Sequence, residues 1–223
     1  MRVCDYIPRY MLSLGVDHVF LVTGGGAMFL NDGIASTPRM HAVCSHHEQA
    51  SAMGAISWAK YAEKPGFAML TTGCGGTNGI TGLLNGWQDN VACLFVSGQT
   101  KRKETIQNSG LALRQFGVQE ADIIPVVTPL TKYAVMLNDP EMVAYELEKA
   151  LYIASTGRPG PVWIDIPMDV QGARIDETSL RHFSPSEIPE IRTEADSAEI
   201  AAIVEAIKAA QRPMLIAGNG IRL

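Results

Sequence analysis

Short apolar runs that alternate with stretches of helical apolar spacing constrain this chain more than any other feature. HVFLV (18–22), HAVCS (41–45), GFAMLTT (66–72), VACLFVSG (91–98), YAVML (133–137) and PVWIDIP (161–167) read as strands. Between them, Val3, Ile7, Met11 and Leu14, and again Met142, Tyr145, Leu147 and Leu151, recur at the spacing of one helix face. Alternation of this kind builds βαβ units with right-handed crossovers, so the expected class is α/β. It predicts a mainly parallel sheet of about six strands, flanked by helices and buried on both faces. The helix predicted after Glu48 carries Ala50, Ala52, Gly54, Ala55 and Ala59. Side chains this small let a helix lie close to a sheet or to another subunit.

With 223 residues the chain has enough length for one good core and the beginning of a second. Up to residue 172 it keeps the α/β pattern, and residues 173–195, rich in Pro, Ser, Glu and Asp, read as a linker. A new helix is predicted from Ser197, with Ile200, Ile203, Val204 and Ile207 on one face, then a strand PMLIAG (213–218) and a GNG turn. A βα turn with no helix after it has nothing to pack against, so residues 196–223 are expected to be the truncated start of a second α/β domain.

A formal net charge of −5 supplies no broad basic field for nucleic acid or anionic lipid, which points to a small-molecule ligand. Neither a membrane-length apolar run nor a secretion signal is present, and a cytoplasmic location is expected. Cys4, Cys44, Cys74 and Cys93 form no CxxC pair, as expected of reduced thiols and not of a structural zinc site or a disulfide framework.

In open parallel sheets ligands bind beyond the carboxyl ends of the strands. VTGGGA (22–27), SHHEQ (45–49) and TTGCGGTNG (71–79) all fall there. The last misses the dinucleotide spacing GxGxxG, because Asn78 stands where the third glycine is needed and Gly79 comes one place late; no segment supplies the GK[ST] of a phosphate loop. Tight βα turns are the plain alternative for each glycine cluster. Cys44, His46 and His47 suggest metal ligands, but side chains alternate along a strand and the two imidazoles would diverge, so no metal site is assigned. Cys74 has no neighbouring His or acid to make it a nucleophile. Glu48 stands at the end of a strand and in the first turn of a helix of small residues. It reads either as a buried functional acid or as a helix-start acid favoured by the macrodipole.

The ordered blocks GVDHVFLVTGGGA, HHEQASAMGA, TTGCGGTNGITGL and GRPGPVWIDIPMDVQG resemble those of thiamine diphosphate-dependent enzymes of the acetolactate synthase-like branch. The resemblance runs from about residue 3 to 172 and marks 1–172 as the pyrimidine-binding domain, with the linker and new helix matching the entry to the family's central domain. It implies that Glu48 is the acid that protonates N1′ of the cofactor's aminopyrimidine. It further implies that Val22, Thr23, Gly24 and Gly25 lie along the cofactor, that Cys74 and Asn78 contact the aminopyrimidine, and that Gln119 approaches the reacting centre.

The implied activity is decarboxylation of a 2-oxo acid, with pyruvate the leading candidate, and transfer of the two-carbon unit to an acceptor. Simple non-ligating decarboxylation is the close alternative; a non-catalytic or nucleotide-binding α/β module is the distant one. Thr23, Cys74, Gly76 and Val118 replace the family's Pro, Pro, Ala and Phe, and so bear on the acceptor more than on the cofactor. The family binds the diphosphate and Mg2+ through a GDG…N motif that does not occur here, so this stretch alone is expected to be inactive. A flavin (FAD), held in the family mostly by the central domain, is compatible with the resemblance. So is a homodimer or homotetramer, because the family's site lies between subunits.

Overall fold

The computed structural model describes residues 1–189 and 195–222. It divides into two compact units, Met1–Pro185 and Ser186–Leu223.

The first unit contains six strands, β1 (His18–Leu21), β2 (His41–Cys44), β3 (Gly66–Leu70), β4 (Cys93–Gln99), β5 (Tyr133–Met136) and β6 (Pro161–Pro167). They form one sheet in the order β2-β1-β3-β4-β6-β5, and every pairing is parallel. Each expected strand of this unit is present. Its helices are α1 (Val3–Ser13), α2 (Met28–Ala35), α3 (Glu48–Ala62), α4 (Cys74–Asn78), α5 (Ile80–Gln88), α6 (Ile106–Ser109), α7 (Ile123–Val127), α8 (Val143–Ser155) and α9 (Met168–Gln171).

Strand alternation sorts the core into two layers. Phe67, Met69, Leu94, Val96, Val162 and Ile164 point to one face and pack with α1, α2 and α8. Ala68, Leu70, Cys93, Phe95 and Trp163 point to the other and pack with α3, α5 and α7. There the Phe95 and Trp163 rings stack at 5.3 Å. The small residues of α3 serve close packing within the chain. A side chain added at Gly66 on β3 would come within 2.5 Å of the Ala55 carbonyl oxygen, and one at Gly82 on α5 within 2.4 Å of Ala52 Cβ.

Burial on both faces holds for β3, β4 and β6 but fails at the edge. All four residues of β2 are exposed, since α3 lies over β1 and β3 and leaves the outermost strand uncovered. The expected linker also departs from expectation at its start. Ile175 and Leu180 are buried in the core of the first unit, and Met1 and Ile175 exchange backbone hydrogen bonds of 3.0 and 2.9 Å, so this unit continues to Pro185. Residues 190–194 of that stretch lie outside the described residues.

In the second unit, α10 (Ser197–Ala209) begins where expected, with the Asp196 carboxylate accepting the Ala198 amide at 2.9 Å. Its face of Ile200, Ile203, Val204 and Ile207 is exposed. Residues 213–218, expected as a strand, are not one. A strand exists only by pairing, and among the described residues of this unit there is no second strand to pair with.

Candidate active site

The path of the chain creates the site. From β1 it crosses to β2 on one side, then returns past β1 to β3 on the other, so the crossovers diverge at β1. A crevice opens beyond the carboxyl ends of strands at such a switch point. The three segments singled out in the sequence are the loops that leave β1, β2 and β3, and they are neighbours here.

Glu48 is the first residue of α3. His47 caps this helix, its Nδ1 accepting the Gln49 amide at 3.1 Å, so the imidazole that suggested a metal ligand is occupied in helix initiation. Glu48 is half-buried, less enclosed than expected, because the adjoining β2 edge is open. Asn78 Nδ2, on the last residue of α4, donates to Glu48 Oε2 at 2.9 Å. Gly75 lies beside the other oxygen: a Cβ there would sit 3.4 Å from Glu48 Oε1 and 2.5 Å from the Thr71 methyl. The glycine therefore keeps the space beside the acid clear.

Close backbone approaches join the remaining loops to this centre. A side chain at Gly24 would fall within 2.5 Å of the Thr71 side chain, and one at Gly26 within 1.6 Å of Thr72 Oγ1. Asn31 Nδ2 donates to the Gly24 carbonyl at 3.4 Å, and Gln171 Nε2 to the Gly26 carbonyl at 2.7 Å, which fixes the loop after β1. Val22 and Thr23 begin that loop, and Gly25 borders open space. Cys74 is exposed at the first position of α4.

Gln119 arrives from a distant part of the chain. Its carbonyl oxygen lies 2.1 Å from where a Gly73 side chain would begin, and Gly73 itself holds a φ of +64°. Gln119 is non-glycine yet has a φ of +58°, a conformation that costs on the order of 1 kcal/mol and persists only where surrounding bonds impose it. It separates two cavities. One, of about 360 Å³, is lined by Thr71, Cys74, Gly75, Thr77 and Gln115. The other, of about 340 Å³, is lined by Gly25, Met28, Lys101, Val118 and Met168. Thr72 and Gln119 border both.

Beneath the site lies a polar cluster that the sequence reading did not assign. Asp165 is fully buried on β6; Ser97 Oγ donates to its Oδ1 at 2.6 Å and Gln99 Nε2 to its Oδ2 at 3.0 Å. Trp163 Nε1 donates to Ser97 Oγ at 2.8 Å. Burial pushes the Asp165 carboxyl up to about 7, against the lowering effect of the Ser97 and Gln99 bonds and with a further raising effect from Asp122 and Glu120. Its signal in the sequence was a lone acid inside the apolar run PVWIDIP.

A carboxylate at a helix start, an amide that orients it, a glycine that keeps its flank open and a neighbouring cleft suit a flat heterocycle with a basic nitrogen. The family model for the thiamine pyrophosphate enzyme, N-terminal TPP binding domain, matches residues 1–136. The chain belongs to the thiamine pyrophosphate enzyme family. It is similar to the acetolactate synthase large subunit of Lactococcus lactis, 30% identical over 220 residues that make up 96% of this chain and 36% of that protein. The large subunit of Corynebacterium glutamicum is 32% identical over 220 residues, 96% of this chain and 33% of that protein. The chloroplastic acetolactate synthase of Arabidopsis thaliana is 28% identical over 217 residues, 97% and 31% respectively. The chain thus spans about a third of the length of these curated members of the thiamine pyrophosphate enzyme family.

Proposed function

We propose that the full-length protein is a thiamine diphosphate-dependent enzyme that decarboxylates a 2-oxo acid, pyruvate in the first instance, and ligates the two-carbon unit to an acceptor. The observation that carries this reading is the Asn78–Glu48 hydrogen bond at the mouth of the switch-point cleft. When bound, thiamine diphosphate supplies a nucleophilic thiazolium carbon and an electron sink for decarboxylation. The residues of this chain supply the rest. Glu48 holds a proton at N1′ of the aminopyrimidine, and Asn78 sets the rotamer that delivers it. Cys74 and Gly75 flank the ring. Val22, Thr23, Gly24 and Gly25 line the cofactor's length, and Gln119 reaches the reacting centre from the wall between the two cavities.

The first compact unit is assigned as the pyrimidine-binding domain, extended from residue 172 to 185 by the packing of Ile175 and Leu180. The second is assigned as the start of a central domain, whose remaining strands would cover the exposed apolar face of α10. Mg2+ and the diphosphate are assigned, on the family resemblance alone, to a further domain of the protein; among the described residues no group of three His, Cys, Asp or Glu side chains could hold a metal ion. FAD, if the protein uses it, is assigned to the central domain. A homo-oligomer in the cytoplasm completes the reading; no helix among the described residues is long and apolar enough to cross a membrane.

The test is an assay of the full-length protein with pyruvate, thiamine diphosphate and Mg2+ against a panel of oxo acid and aldehyde acceptors. Release of carbon dioxide together with a new carbon–carbon bond is expected. Carbon dioxide with free acetaldehyde and no ligated product would reassign it as a simple decarboxylase, and no turnover of any 2-oxo acid would overturn the reading.

A further inference from the structure

The segment that carries Gln119 has little apolar anchorage. Leu111, Leu113, Phe116 and Val118 are all exposed, and a loop with so few buried contacts belongs to the least stable part of a fold. Yet Gln119 holds a left-handed backbone, which requires its neighbours to be fixed. The fixing groups are polar. Glu120 Oε2 accepts the amides of Phe116 and Gly117, both at 2.9 Å, while its Oε1 accepts the amide of Ile106. On the other side of Gln119, the Ala121 carbonyl accepts from Gln99 Nε2 at 2.8 Å. Gln99 is itself held, by its bond to Asp165 Oδ2 and by the Thr100 amide, which donates to its Oε1 at 3.0 Å.

We infer that Glu120 is a positioning residue, whose carboxylate gathers three backbone amides so that, with Gln99 gripping Ala121, the chain is held at both sides of Gln119 and its side chain is aimed at the reacting centre. The inference rests on the assignment of Gln119 made under the proposed function. A carboxylate is suited to this task because its two oxygens can accept several amides at once. Glutamine in place of Glu120 would keep one carbonyl oxygen and turn an amino group toward the N–H groups formerly bound by the other. The Glu120→Gln protein should therefore retain its fold and lose the register of a single loop.

The experiment has two arms, both on the full-length protein. In the wild type, hydrogen exchange should find the Phe116 amide protected although Phe116 is exposed; its exchange at the open-chain rate would overturn the clamp without recourse to any variant. In the second arm, Gln119→Ala, Glu120→Gln and the double variant are compared for ligation kcat and for C2 proton exchange of bound thiamine diphosphate. Displacement of a reacting group by about 1 Å costs roughly 10²-fold in rate, and Glu120→Gln should lose kcat on that scale while cofactor affinity and C2 exchange stay at the wild-type level. The double variant should be no slower than Gln119→Ala alone, because Glu120 acts through Gln119. Additive losses, or a fall in C2 exchange with Glu120→Gln, would show that Glu120 acts elsewhere. If Gln119→Ala turns over normally, the assignment of Gln119 fails; if it is slow and Glu120→Gln is normal, the clamp fails.

Discussion

Asn78 Nδ2 lies 2.9 Å from Glu48 Oε2 and joins the last residue of the short helix α4 to the first residue of the long helix α3, 30 positions apart in the chain. The bond is separate from the cap of α3, which His47 supplies. It fixes the orientation of an acid whose other oxygen faces the gap left by Gly75.

Glu48→Gln should leave the fold intact and slow cofactor activation. The two side chains have nearly the same shape, and the carbonyl oxygen of the substituted glutamine can still accept from Asn78, so packing changes little. The proton that Glu48 is proposed to hold at N1′ is lost, and general acid–base assistance is worth about 10²–10⁴-fold. C2 proton exchange of the bound cofactor, followed by NMR in the full-length protein, should fall within that range. An unchanged exchange rate with a modest stability loss would identify Glu48 as a helix-start acid only.

Asp165 should make stability depend on pH. Its folded carboxyl is raised to about 7 by burial, whereas an unfolded Asp titrates near 4. Between these values the unfolded chain releases its proton and the folded protein keeps it. Stability therefore falls as pH rises through this window, at up to about 1.4 kcal/mol per pH unit. Asp165→Asn can keep a bond to each neighbour and should remove this component. The urea midpoint of the wild type should fall relative to that of the variant between about pH 4 and 7, the range bounded by the same two pKa values. Parallel curves over it would contradict the account.

The strands were legible because β3, β4 and β6 bury both faces, which leaves an uninterrupted apolar run as their signature. PMLIAG carries the same signature without forming a strand, because pairing depends on partners that composition does not report. The order of motifs singled out Glu48 and Asn78, which the structure joins by a hydrogen bond. Gln99 and Glu120 were not singled out, because they act on backbone carbonyls and amides, and such groups leave no pattern in the sequence. The role of His47 left no pattern for a related reason, since it is set by the helix it caps.

Gly73→Ala should disturb the site more than Gly110→Ala does, through backbone strain and a clash together. At Gly73, with φ +64°, a Cβ would meet the Gln119 carbonyl oxygen at 2.1 Å. Gly110, with φ +68°, ψ 8° and open space around a Cβ, gives the cost of alanine at a plain left-handed position, whereas Gly73, with ψ −120°, lies in an extended positive-φ region that is costlier still for alanine. Alanine at a left-handed position costs about 1–2 kcal/mol, and Gly110→Ala should lose that much. Gly73→Ala should lose clearly more, with altered hydrogen exchange at residues 117–121. Equal losses in denaturant titrations would separate the two loops.

The four cysteines should divide into two reactive and two silent thiols. Only the thiolate attacks an alkylating reagent, so reactivity needs both exposure and a thiol free to ionise. Cys93 is fully buried on β4, and burial pushes its thiol far up; Cys4, buried in α1, is pushed up to about 12 by burial first and by the nearby Asp5 carboxylate second. Both should stay unmodified by iodoacetamide at neutral pH until the protein unfolds. Cys44 and Cys74 are exposed and should react under native conditions. If Cys74 borders the aminopyrimidine as proposed, thiamine diphosphate with Mg2+ should slow its modification in the full-length protein. Proline fits the first position of a helix, so Cys74→Pro should preserve cofactor binding, and Cys74→Trp, which projects into the cleft, should weaken it. Peptide mass spectrometry of the alkylated protein reads the first of these effects and calorimetry the second. A Cys74 rate indifferent to the cofactor, together with tight binding by the Trp variant, would place the ring away from α4.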